Sequence, residues 1–420
     1  MKVLIQGAEI IDQNSPHHKK VRNVLIHNGK IASIGDKNFT ADKVIPAEGM
    51  KLTTGWFDLG TFVGDPGLEY KEDLESVAKA AAAGGFTGLA MLPNTQPAVQ
   101  TKNEISYITR QNPVRLVGIY PMAAVTRGCK GEELTEMIDL HEAGAIAFTD
   151  GLKPLWHTDI LLKSLQYIQK FEGLLIDLPE DIWLNMFGQM HEGVQSTMLG
   201  LKGMPRVAEE IVVSKNLELL RYAGGRLHLS RLSTAKSVDL IRSVKNKMKV
   251  TCDITSYQPL LDDKSIAGFE TNYKVNPPLR EKADQDALIK GIRDGTIDVI
   301  SSGHLPQDEE SKNTEFDQAE FGMINLQSFA ANLVSLTHWI DFSTLVEKVT
   351  VNPRKLLNLD VPVIEAEVQA NLTLIDPHAE WTLDDSTNHS KSKNSPWWKK
   401  KLTGKAMAVF NNNRSWIAPR

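Results

Sequence analysis

Apolar and polar positions follow one pattern at the two ends of the chain and another in the middle. In residues 1–53, short apolar runs such as "KVLIQGAEII" and "NVLIHNGKIASIG" are separated by turn residues, and Asn28-Gly29 is a dipeptide typical of a tight hairpin. Residues 362–420 repeat the pattern with "ANLTLIDP" and "KAMAVFNNNRSW". Two β-rich ends that flank a long middle predict one small β-sandwich domain built from both termini.

Residues 54–361 alternate between apolar runs and amphipathic segments of helical period. One such segment, "EYKEDLESVAKAAAAGG", ends in Gly84-Gly85, a common helix stop. Eight apolar runs separated by helical segments predict a (β/α)8 TIM barrel rather than an open sheet. The eight candidate strands are "GWFDL", "TGLAML", "RLVGIYPM", "GAIAFT", "GLLIDL", "RLHLSRL", "KVTCDI" and "DVISS". In a barrel of this type, functional groups lie on the loops that follow the strands.

Composition and charge narrow the class of protein. The chain has 420 residues, 41% of them hydrophobic, and a formal net charge of -5, so no global positive field favours nucleic acid or an anionic membrane. The two cysteines, Cys129 and Cys252, are too few for a disulfide scaffold. No apolar run is long enough to span a bilayer, and the first residues lack the pattern of a signal peptide. We therefore expect a soluble, cytoplasmic protein.

The ends of the candidate strands offer few metal ligands. Of eleven histidines in the chain, only His228 and His304 fall near a strand end. A hydrolytic metal site in a barrel needs several histidine and carboxylate ligands from different strands. His228 stands between two leucines, and the structural interpretation of this residue is a hydrogen-bonded histidine of the core. The sequence alone therefore gives little support for a catalytic metal.

Several specific motifs, spread over nearly the whole chain, carry a family resemblance. They are "DPGLEYKEDLESVAKAAAAGGFTGLAMLPNTQPAV", "KGMPRVAEE", "GRLHLSRLSTAKSVDLIR", "KVNPPLREKAD", "VTVNPRKLLNL" and "SKSKNSPW". In these motifs the chain resembles the dihydroorotases of the amidohydrolase superfamily, in the subgroup that includes allantoinase and hydantoinase. The resemblance implies a barrel with a composite β-domain, and metal-assisted opening or closing of a cyclic amide.

The departures from the family pattern are as specific as the matches. In the family the first strand ends in Asp-x-His-x-His-x-Arg-x-Pro-Gly. Here both metal-binding histidines are replaced, by Gly60 and Phe62, and the arginine that pairs with the substrate carboxylate is replaced by Gly64. Glycine has no side chain and phenylalanine has no lone pair to donate, so neither replacement can hold a metal ion.

Further family positions are changed on later strands. The fifth-strand histidine aligns with Leu178, and one sixth-strand histidine aligns with Arg231, whose permanent charge repels a divalent cation. The aspartate that acts as ligand and general base aligns with Gly303. Asp150 matches an acidic ligand position used in one branch of the family. Three further residues match positions that contact substrate: Asn94, Asn276 and His304.

These replacements predict a protein without a metal site or a general base. We expect no cofactor, no catalytic residue, and a role as a homo- or hetero-oligomeric partner protein. The resemblance implies a non-catalytic subunit of pyrimidine biosynthesis, for example one that supports aspartate carbamoyltransferase. The overall similarity by itself would favour an active dihydroorotase. The replacement of the metal ligands argues against that activity.

Two alternatives remain open from the sequence. One is an active dihydroorotase, or a related cyclic-amide hydrolase, with zinc in a rearranged site that uses residues such as Asp150, Asp177, Glu180 or Asp253. The other is a small-molecule sensor that holds a pyrimidine-like ligand with Asn94, Asn276 and His304 and does not turn it over. Bound metal in stoichiometric amount distinguishes the first, and a ligand-induced thermal shift the second.

Overall fold

The computed structural model describes residues 2–37, 39–110, 112 and 115–419. Its strands are β1 (Lys2–Ile11), β2 (Val21–His27), β3 (Lys30–Gly35), β4 (Lys43–Pro46), β5 (Lys51–Thr54), β6 (Trp56–Thr61), β7 (Phe86–Met91), β8 (Gly118–Pro121), β9 (Leu175–Asp177), β10 (Met190–His191), β11 (Gly203–Met204), β12 (Leu227–Leu229), β13 (Val250–Thr255), β14 (Val299–Ser301), β15 (Leu372–Thr382), β16 (Lys401–Asn411) and β17 (Arg414–Ile417).

The α-helices alternate with the strands through the middle of the chain. They are α1 (Leu74–Gly84), α2 (Lys102–Thr109), α3 (Met137–Glu142), α4 (Thr158–Ile168), α5 (Val194–Leu199), α6 (Arg206–Ala223), α7 (Ala235–Val244), α8 (Lys282–Arg293), α9 (Glu309–Lys312), α10 (Phe329–Leu336), α11 (Phe342–Val349) and α12 (Val351–Leu356). Within the described ranges, no helix combines the length and the apolar character needed to cross a bilayer.

Strands from both ends of the chain form one eight-stranded sheet. Its order is β17-β16-β15-β5-β1-β2-β3, with β4 paired to β1. The predicted hairpin is present, because β2 and β3 pair antiparallel across Asn28 and Gly29, and both turn residues have positive φ, at 49° and 75°. The composite origin of the β-domain follows directly from the pairing of β15 with β5.

This sheet folds back on itself, which explains the sandwich-like pattern in the sequence. The backbone N–H of Ile31 donates to the carbonyl of Val368 at 2.9 Å, and that of Ala370 donates to Gly29 at 2.8 Å. The start of β3 therefore bonds to the segment that leads into β15, although three strands separate β3 from β15 in the sheet order. The strands of the β-domain thus form one continuous sheet around an apolar core, and the sandwich arrangement of this domain stays a prediction.

The middle of the chain contains two parallel arrays that carry the candidate site. One is β6-β7-β8 and the other is β14-β13-β12-β9. The predicted fourth strand, "GAIAFT", is reduced to single parallel bridges from Phe148 to Ala123 and to Leu175, which join the two arrays. Seven of the eight candidate strands thus form ladder-paired strands, and the fourth supplies only a link.

The junction between β14 and β6 is made mainly by side chains. Within the described part of the chain, no strand ladder joins these two strands, so the structure has a mixed α/β arrangement in which a fully hydrogen-bonded barrel is not seen. The carboxylate of Asp58 accepts hydrogen bonds at 2.6 Å from the backbone N–H and the hydroxyl of Ser302. The two strands nevertheless contribute to one apolar interior, through Phe57, Leu59 and Val299.

Local sequence signals explain why α1 occupies its position beside the first strand. Asp73 caps the helix N-terminus by accepting from the backbone N–H groups of Glu75 and Ser76, and the Ser76 hydroxyl completes the capping box. Gly85 ends the helix in the left-handed conformation, with φ of 99°, as the Gly84-Gly85 signal predicts. The helix fixes the loop that precedes it, which lies against the site.

Candidate functional site

The loop after β6 contains the first changed positions of the candidate site. Phe62 is 4% exposed and belongs to an apolar cluster with Leu59 and Leu92, against which Leu305 also packs. A phenyl ring in apolar surroundings fills space and offers no ligand atom. The mouth of the strands is therefore partly closed by hydrocarbon at the place where the family pattern has a metal-binding histidine.

Gly64 lies where the folded loop leaves no space for a side chain. A Cβ atom at this position would stand 2.1 Å from the carbonyl oxygen of Leu68 and 3.0 Å from that of Glu72. The backbone N–H of Gly64 donates to the Glu72 carbonyl, and that of Leu68 donates to the Gly64 carbonyl. The loop has thus closed over the position, and an arginine there would require the loop to move.

Arg231 places a positive charge beside the first changed position. Its guanidinium Nη2 donates to the carbonyl oxygen of Gly60 at 3.2 Å, and the residue is only 7% exposed. Its backbone N–H donates to the carboxylate of Asp253 at 3.1 Å, and its φ of 56° is in the left-handed region that side-chain-bearing residues rarely adopt. A guanidinium at this point repels any cation bound nearby.

His228, the histidine that the family pattern pairs with position 231, is fully buried. Its Nε2 lies 2.8 Å from Oδ2 of Asp253, and its Nδ1 lies 2.8 Å from the hydroxyl of Thr251. Since an ionised carboxylate can only accept, Nε2 carries the proton and Nδ1 accepts from Thr251. Both ring nitrogens have protein partners, which agrees with the structural interpretation of His228 as a hydrogen-bonded histidine of the core.

Gly303, at the family's general-base position, is enclosed by two neighbouring side chains. A Cβ atom there would lie 2.6 Å from Cγ2 of Thr255 and 2.9 Å from Cε1 of Tyr257. The backbone of Gly303 is also left-handed, with φ of 64°. The space that a basic carboxylate would need is occupied by β13 and the residues after it.

Leu178 and its neighbour Asp177 end β9 inside the protein. Leu178 is 2% exposed and has no donor atom in its side chain. Asp177 accepts from the backbone N–H of Leu155 at 2.9 Å and from the Asn216 amide at 2.6 Å. Burial raises the pKa of Asp177 from 3.8 to about 6. Its carboxylate is committed to holding neighbouring segments.

Asp150 is also buried and committed to local hydrogen bonds. It is 1% exposed, its Oδ1 accepts from the backbone N–H of Thr126 at 2.9 Å, and its Oδ2 accepts from the Thr126 hydroxyl. Burial raises the pKa of Asp150 from 3.8 to about 6, against the lowering effect of these hydrogen bonds. The residue holds the loop after β8 rather than facing a group of other ligands.

The three matches to substrate-contacting positions lie in separate hydrogen-bonded groups. Asn94 bridges its loop, donating to the carbonyl of Asp150 at 3.0 Å and accepting from the backbone N–H of Leu152 at 2.9 Å. Asn276 donates to the Glu180 carboxylate at 2.8 Å. Among the hydrogen bonds of the described residues, none links these two groups directly to each other, so any shared role in ligand binding stays a prediction.

His304 is 1% exposed and is held on both sides of its ring. Its Nδ1 accepts from the backbone N–H of Asn325 at 3.1 Å, so that Nε2 carries the proton, and Nε2 lies 3.4 Å from Oε2 of Glu72. Glu72 also accepts from the hydroxyls of Ser76 and Ser390. His304 thus ties the β14 loop to the segment before α1 and to the C-terminal loop.

Comparison with known proteins gives a family that fits this geometry. A family model described as dihydro-orotase-like matches residues 49–237. A dihydroorotase from Geotalea daltonii is 38% identical over 413 residues, which are 97% of each chain, and one from Acetivibrio thermocellus is 38% identical over 416 residues, 98% of this chain and 97% of the other. The chain belongs to the dihydroorotase family.

Solved structures give the fold. An L-hydantoinase (dihydropyrimidinase) from Arthrobacter aurescens superposes with a TM-score of 0.85 at 20% identity, covering 100% of this chain and 97% of the other. A dihydropyrimidinase from Brevibacillus agri gives 0.83 at 19% identity, covering 99% and 95%. The protein therefore has the fold of these amidohydrolases, including a β-rich domain.

The side chains of this family member do not fit the metal that the family pattern implies. Four of the changed ligand positions carry Gly60, Phe62, Leu178 and Arg231, of which three offer no side-chain ligand atom and the fourth is a cation. Throughout the described part of the chain, no group of three or more His, Cys, Asp or Glu side chains is arranged to hold a metal ion. We therefore derive no catalytic step through a metal.

Sequence reasoning missed the residues that fill the site. Tyr257, in the segment after β13, is 2% exposed and occupies space beside Gly303. A signal was available, because loss of a side chain from a packed site requires neighbouring atoms to fill the gap. The sequence does not say which neighbour does so, because that depends on the path of the loop after β13.

A buried polar network in the same loops was also missed. Arg280, 2% exposed, donates from Nη1 to the carbonyl of Met204 at 2.9 Å and from Nε to the hydroxyl of Ser233 at 3.0 Å, and its Nη1 lies 3.0 Å from Nδ1 of His191. Burial, together with the Arg280 charge, lowers the pKa of His191 to about 4. The network joins the loops that follow β9, β12 and β13.

The family motifs contain the other members of this network. The Glu209 carboxylate of "KGMPRVAEE" accepts from the backbone N–H groups of Ser233 and Thr234 at 3.0–3.1 Å. Arg206, in the same motif, donates to Asp284 at 2.8 Å and to Glu281 at 2.6 Å, both in "KVNPPLREKAD". These motifs therefore hold three loops together, a task that does not require a metal.

Proposed function

We propose that the protein is a catalytically inactive, dihydroorotase-like pseudoenzyme of pyrimidine biosynthesis that acts as a structural or regulatory partner, for example of aspartate carbamoyltransferase. We further propose that its parallel strands complete a (β/α)8 barrel and that it works in the cytoplasm without a cofactor. The observation that carries the proposal is the Arg231 guanidinium on the Gly60 carbonyl, at 3.2 Å. It puts a fixed positive charge where the family pattern needs a divalent cation.

Two further observations support the loss of chemistry. The general-base position is Gly303, and its side-chain space is occupied by Thr255 and Tyr257. Without a base, no group takes the proton of an attacking water, and general-base catalysis is worth about 10²- to 10⁴-fold in rate. The retained motifs, by contrast, hold the loops of the fold together through buried hydrogen bonds such as those of Glu209.

Dihydroorotase turnover in both directions tests the catalytic half of the proposal. The purified protein is assayed with zinc supplied, and bound metal is quantified in the same sample. The dihydroorotase of Geotalea daltonii, 38% identical to this chain, serves as the positive control. We expect no turnover above background and no stoichiometric metal. Turnover at a rate like that of the control, with about one metal per chain, would overturn the proposal.

Co-purification with aspartate carbamoyltransferase tests the partner half. The two proteins are mixed at concentrations well above micromolar and run on a sizing column. We expect one peak that contains both. Separate elution at these concentrations would count against this partner, and it would leave the result of the turnover assay unaffected.

The second candidate function is an active dihydroorotase with a rearranged site, and the names of the relatives favour it. Its metal would need several of Asp150, Asp177, Glu180 and Asp253 around one ion. Each of these carboxylates instead accepts hydrogen bonds from protein groups, for example Asp253 from the Ser301 hydroxyl at 3.0 Å. The metal measurement in the turnover assay decides between the two functions.

A further inference from the structure

Arg231 carries a buried charge with an incomplete set of protein partners. The residue is 93% buried, and its one recorded side-chain hydrogen bond goes to the carbonyl of Gly60. The Asp253 carboxylate accepts from the backbone N–H of Arg231, from His228 and from Ser301, and from no atom of the guanidinium. Within the described ranges, no carboxylate forms an ion pair with this guanidinium. An uncompensated buried charge is costly, so buried guanidinium groups normally have an anionic or well-bonded partner.

The hydroxyl of Tyr257, in the segment after β13, lies in the field of this guanidinium. Tyr257 is 2% exposed and lies close enough to Arg231 that the guanidinium charge acts on its hydroxyl. Burial raises the pKa of Tyr257, and the positive charge of Arg231 opposes that rise. The hydroxyl therefore keeps its proton at neutral pH. A cationic donor and a neutral hydroxyl together favour an anion and disfavour a metal ion.

Of the three positions where the resemblance places glycine instead of a family side chain, Gly60 is the least crowded. A Cβ atom at Gly60 would meet a single neighbour within 4 Å, Cδ2 of Leu92 at 3.7 Å. At Gly64 and Gly303 the corresponding contacts are 2.1 Å and 2.6 Å, so those positions are filled. The least crowded of the three positions is thus the one whose carbonyl receives the Arg231 guanidinium.

We propose that the Arg231 guanidinium and the uncrowded side of Gly60 form a binding site for a small anion, either a free inorganic ion or the carboxylate group of a larger ligand. The anion completes the coordination of the guanidinium and takes the place that protein side chains leave vacant. The site binds without turnover, since no general base stands beside it. This inference goes beyond the partner role and does not depend on it.

Thermal unfolding with two anion probes tests the site. The melting temperature of the wild type is measured in acetate, a carboxylate, and in bromide, an inorganic ion, and is compared with that of Arg231→Met at the same salt concentrations. We expect an anion that binds the site to raise the Tm of the wild type by about 2 °C more than it raises the Tm of Arg231→Met. The reason is that a ligand that binds only the native state stabilises that state. A larger effect of acetate identifies a carboxylate site, and an equal effect identifies a site for small ions in general.

Arg226→Met is the matched control. Arg226 immediately precedes the same strand, β12, at its opposite end, and its guanidinium donates to the backbone carbonyls of Glu172 and Leu356. This variant should keep the full anion response. The same response in Arg231→Met as in the wild type, or no response in the wild type, would overturn the proposal.

Crystals of the wild type grown in bromide give a second readout that needs no variant. We expect an anomalous peak within hydrogen-bond distance of the Arg231 guanidinium. A map without a peak there, with the guanidinium bonded only to protein groups and water, would contradict the anion site even if Arg231→Met failed to fold.

Discussion

The family resemblance predicts that glycine replaces a functional residue at three positions of the site, and the surroundings differ at each. A Cβ atom at Gly60 would make one ordinary contact, with Leu92, whereas Gly64 is closed by the Leu68 carbonyl and Gly303 by the side chains of Thr255 and Tyr257. Protein interiors are close-packed, so the space of a lost side chain is usually taken by neighbouring atoms. At two of the three positions the family residue can no longer return without movement of its neighbours.

Restoring the family carboxylate by Gly303→Asp should therefore destabilise the protein and give no activity. We expect a loss of about 2–4 kcal/mol in the free energy of unfolding, from the contacts with Thr255 and Tyr257 together with the left-handed backbone. The free energy of unfolding of the variant and of the wild type is measured by urea denaturation.

Gly295→Ala supplies the control for backbone strain alone. Gly295 also has a positive φ, of 80°, but a Cβ atom there would meet nothing within 4 Å. Gly303→Ala should cost about 1–3 kcal/mol more than Gly295→Ala, because only the former overpacks its surroundings. Equal costs for the two alanine variants would show that the space beside Gly303 is not filled as described.

Loss of the proton from the Asp150 carboxyl group should lower the stability of the protein as pH rises from about 4 to about 6. Its native pKa is raised to about 6 by burial, so the native state holds a proton that the unfolded chain has released, and unfolding releases that proton. The contribution of this raised pKa to the free energy of unfolding is fully present below about pH 4 and is lost by about pH 6. The free energy of unfolding falls by an amount on the order of 3 kcal/mol over this range.

Asp150→Asn should remove this component from the pH dependence of stability. The free energy of unfolding is measured from pH 4 to pH 7 for wild type and variant, and the wild-type curve should fall relative to the variant curve across that range. Asp286→Asn, at an exposed residue, is the control. Parallel curves for wild type and Asp150→Asn would mean that Asp150 is ionised in the native state throughout.

At the scale of elements, three loops that are distant in sequence behave as one unit. The loops after β9, β12 and β13 contribute His191, Ser233 and Arg280, and the guanidinium of Arg280 contacts the other two. The motifs that identify the family thus also hold the loops in place. Such a structural task would let them persist in a chain that is predicted to lack the family's metal ligands.

Arg280→Leu should separate these loops at a large cost in stability. Removing a fully buried guanidinium leaves Glu209 without its neighbouring cation and the Met204 carbonyl without a donor, for which we expect a loss of about 3–5 kcal/mol. Limited proteolysis should cut residues 180–204 faster than in the wild type. Both effects are measured on the full chain.

Arg206→Leu is the matched variant in the same network. The Arg206 side chain is 33% exposed, so its ion pairs with Glu281 and Asp284 are partly screened by solvent, and we expect a loss of about 1 kcal/mol or less. A larger loss for Arg206→Leu than for Arg280→Leu would contradict the assignment of Arg280 as the centre of the network.

At the scale of the whole molecule, large apolar side chains stand on the surface of one segment after β9. Trp183, Phe187, Val194 and Met198 are each more than 60% exposed, and they lie within 16 residues of one another in sequence. Val194 and Met198 stand four residues apart on α5, so they share one face of that helix. Exposed apolar groups of this size mark interaction surfaces in many proteins.

Under the proposed partner role, the double variant Phe187→Ser, Met198→Ser should weaken association with aspartate carbamoyltransferase by at least about tenfold in Kd. Its Tm should stay close to that of the wild type, because both side chains are 75% exposed. Tyr222→Ser, at a residue that is 78% exposed on α6, should change neither quantity. Undiminished affinity of the double variant in a titration would place the partner surface elsewhere.

Much of the fold could be predicted from local patterns, because each pattern has a local cause. The Asn28-Gly29 hairpin follows from two residues that tolerate positive φ, and the end of α1 follows from Gly85. The fourth strand was predicted from its apolar run but forms only bridges at Phe148. An apolar run shows that a segment is buried, whereas ladder pairing also depends on the registers of its neighbours.

The sequence by itself determined which side chains are missing from the site, since glycine, phenylalanine and leucine cannot bind a metal in any conformation. Only the tertiary structure decided what occupies the vacated space. It brings Tyr257 to Gly303, closes the loop over Gly64, and sets the Arg231 guanidinium on Gly60. These contacts join residues as much as 171 positions apart, and such distances depend on the packing of strands and loops rather than on any local sequence signal.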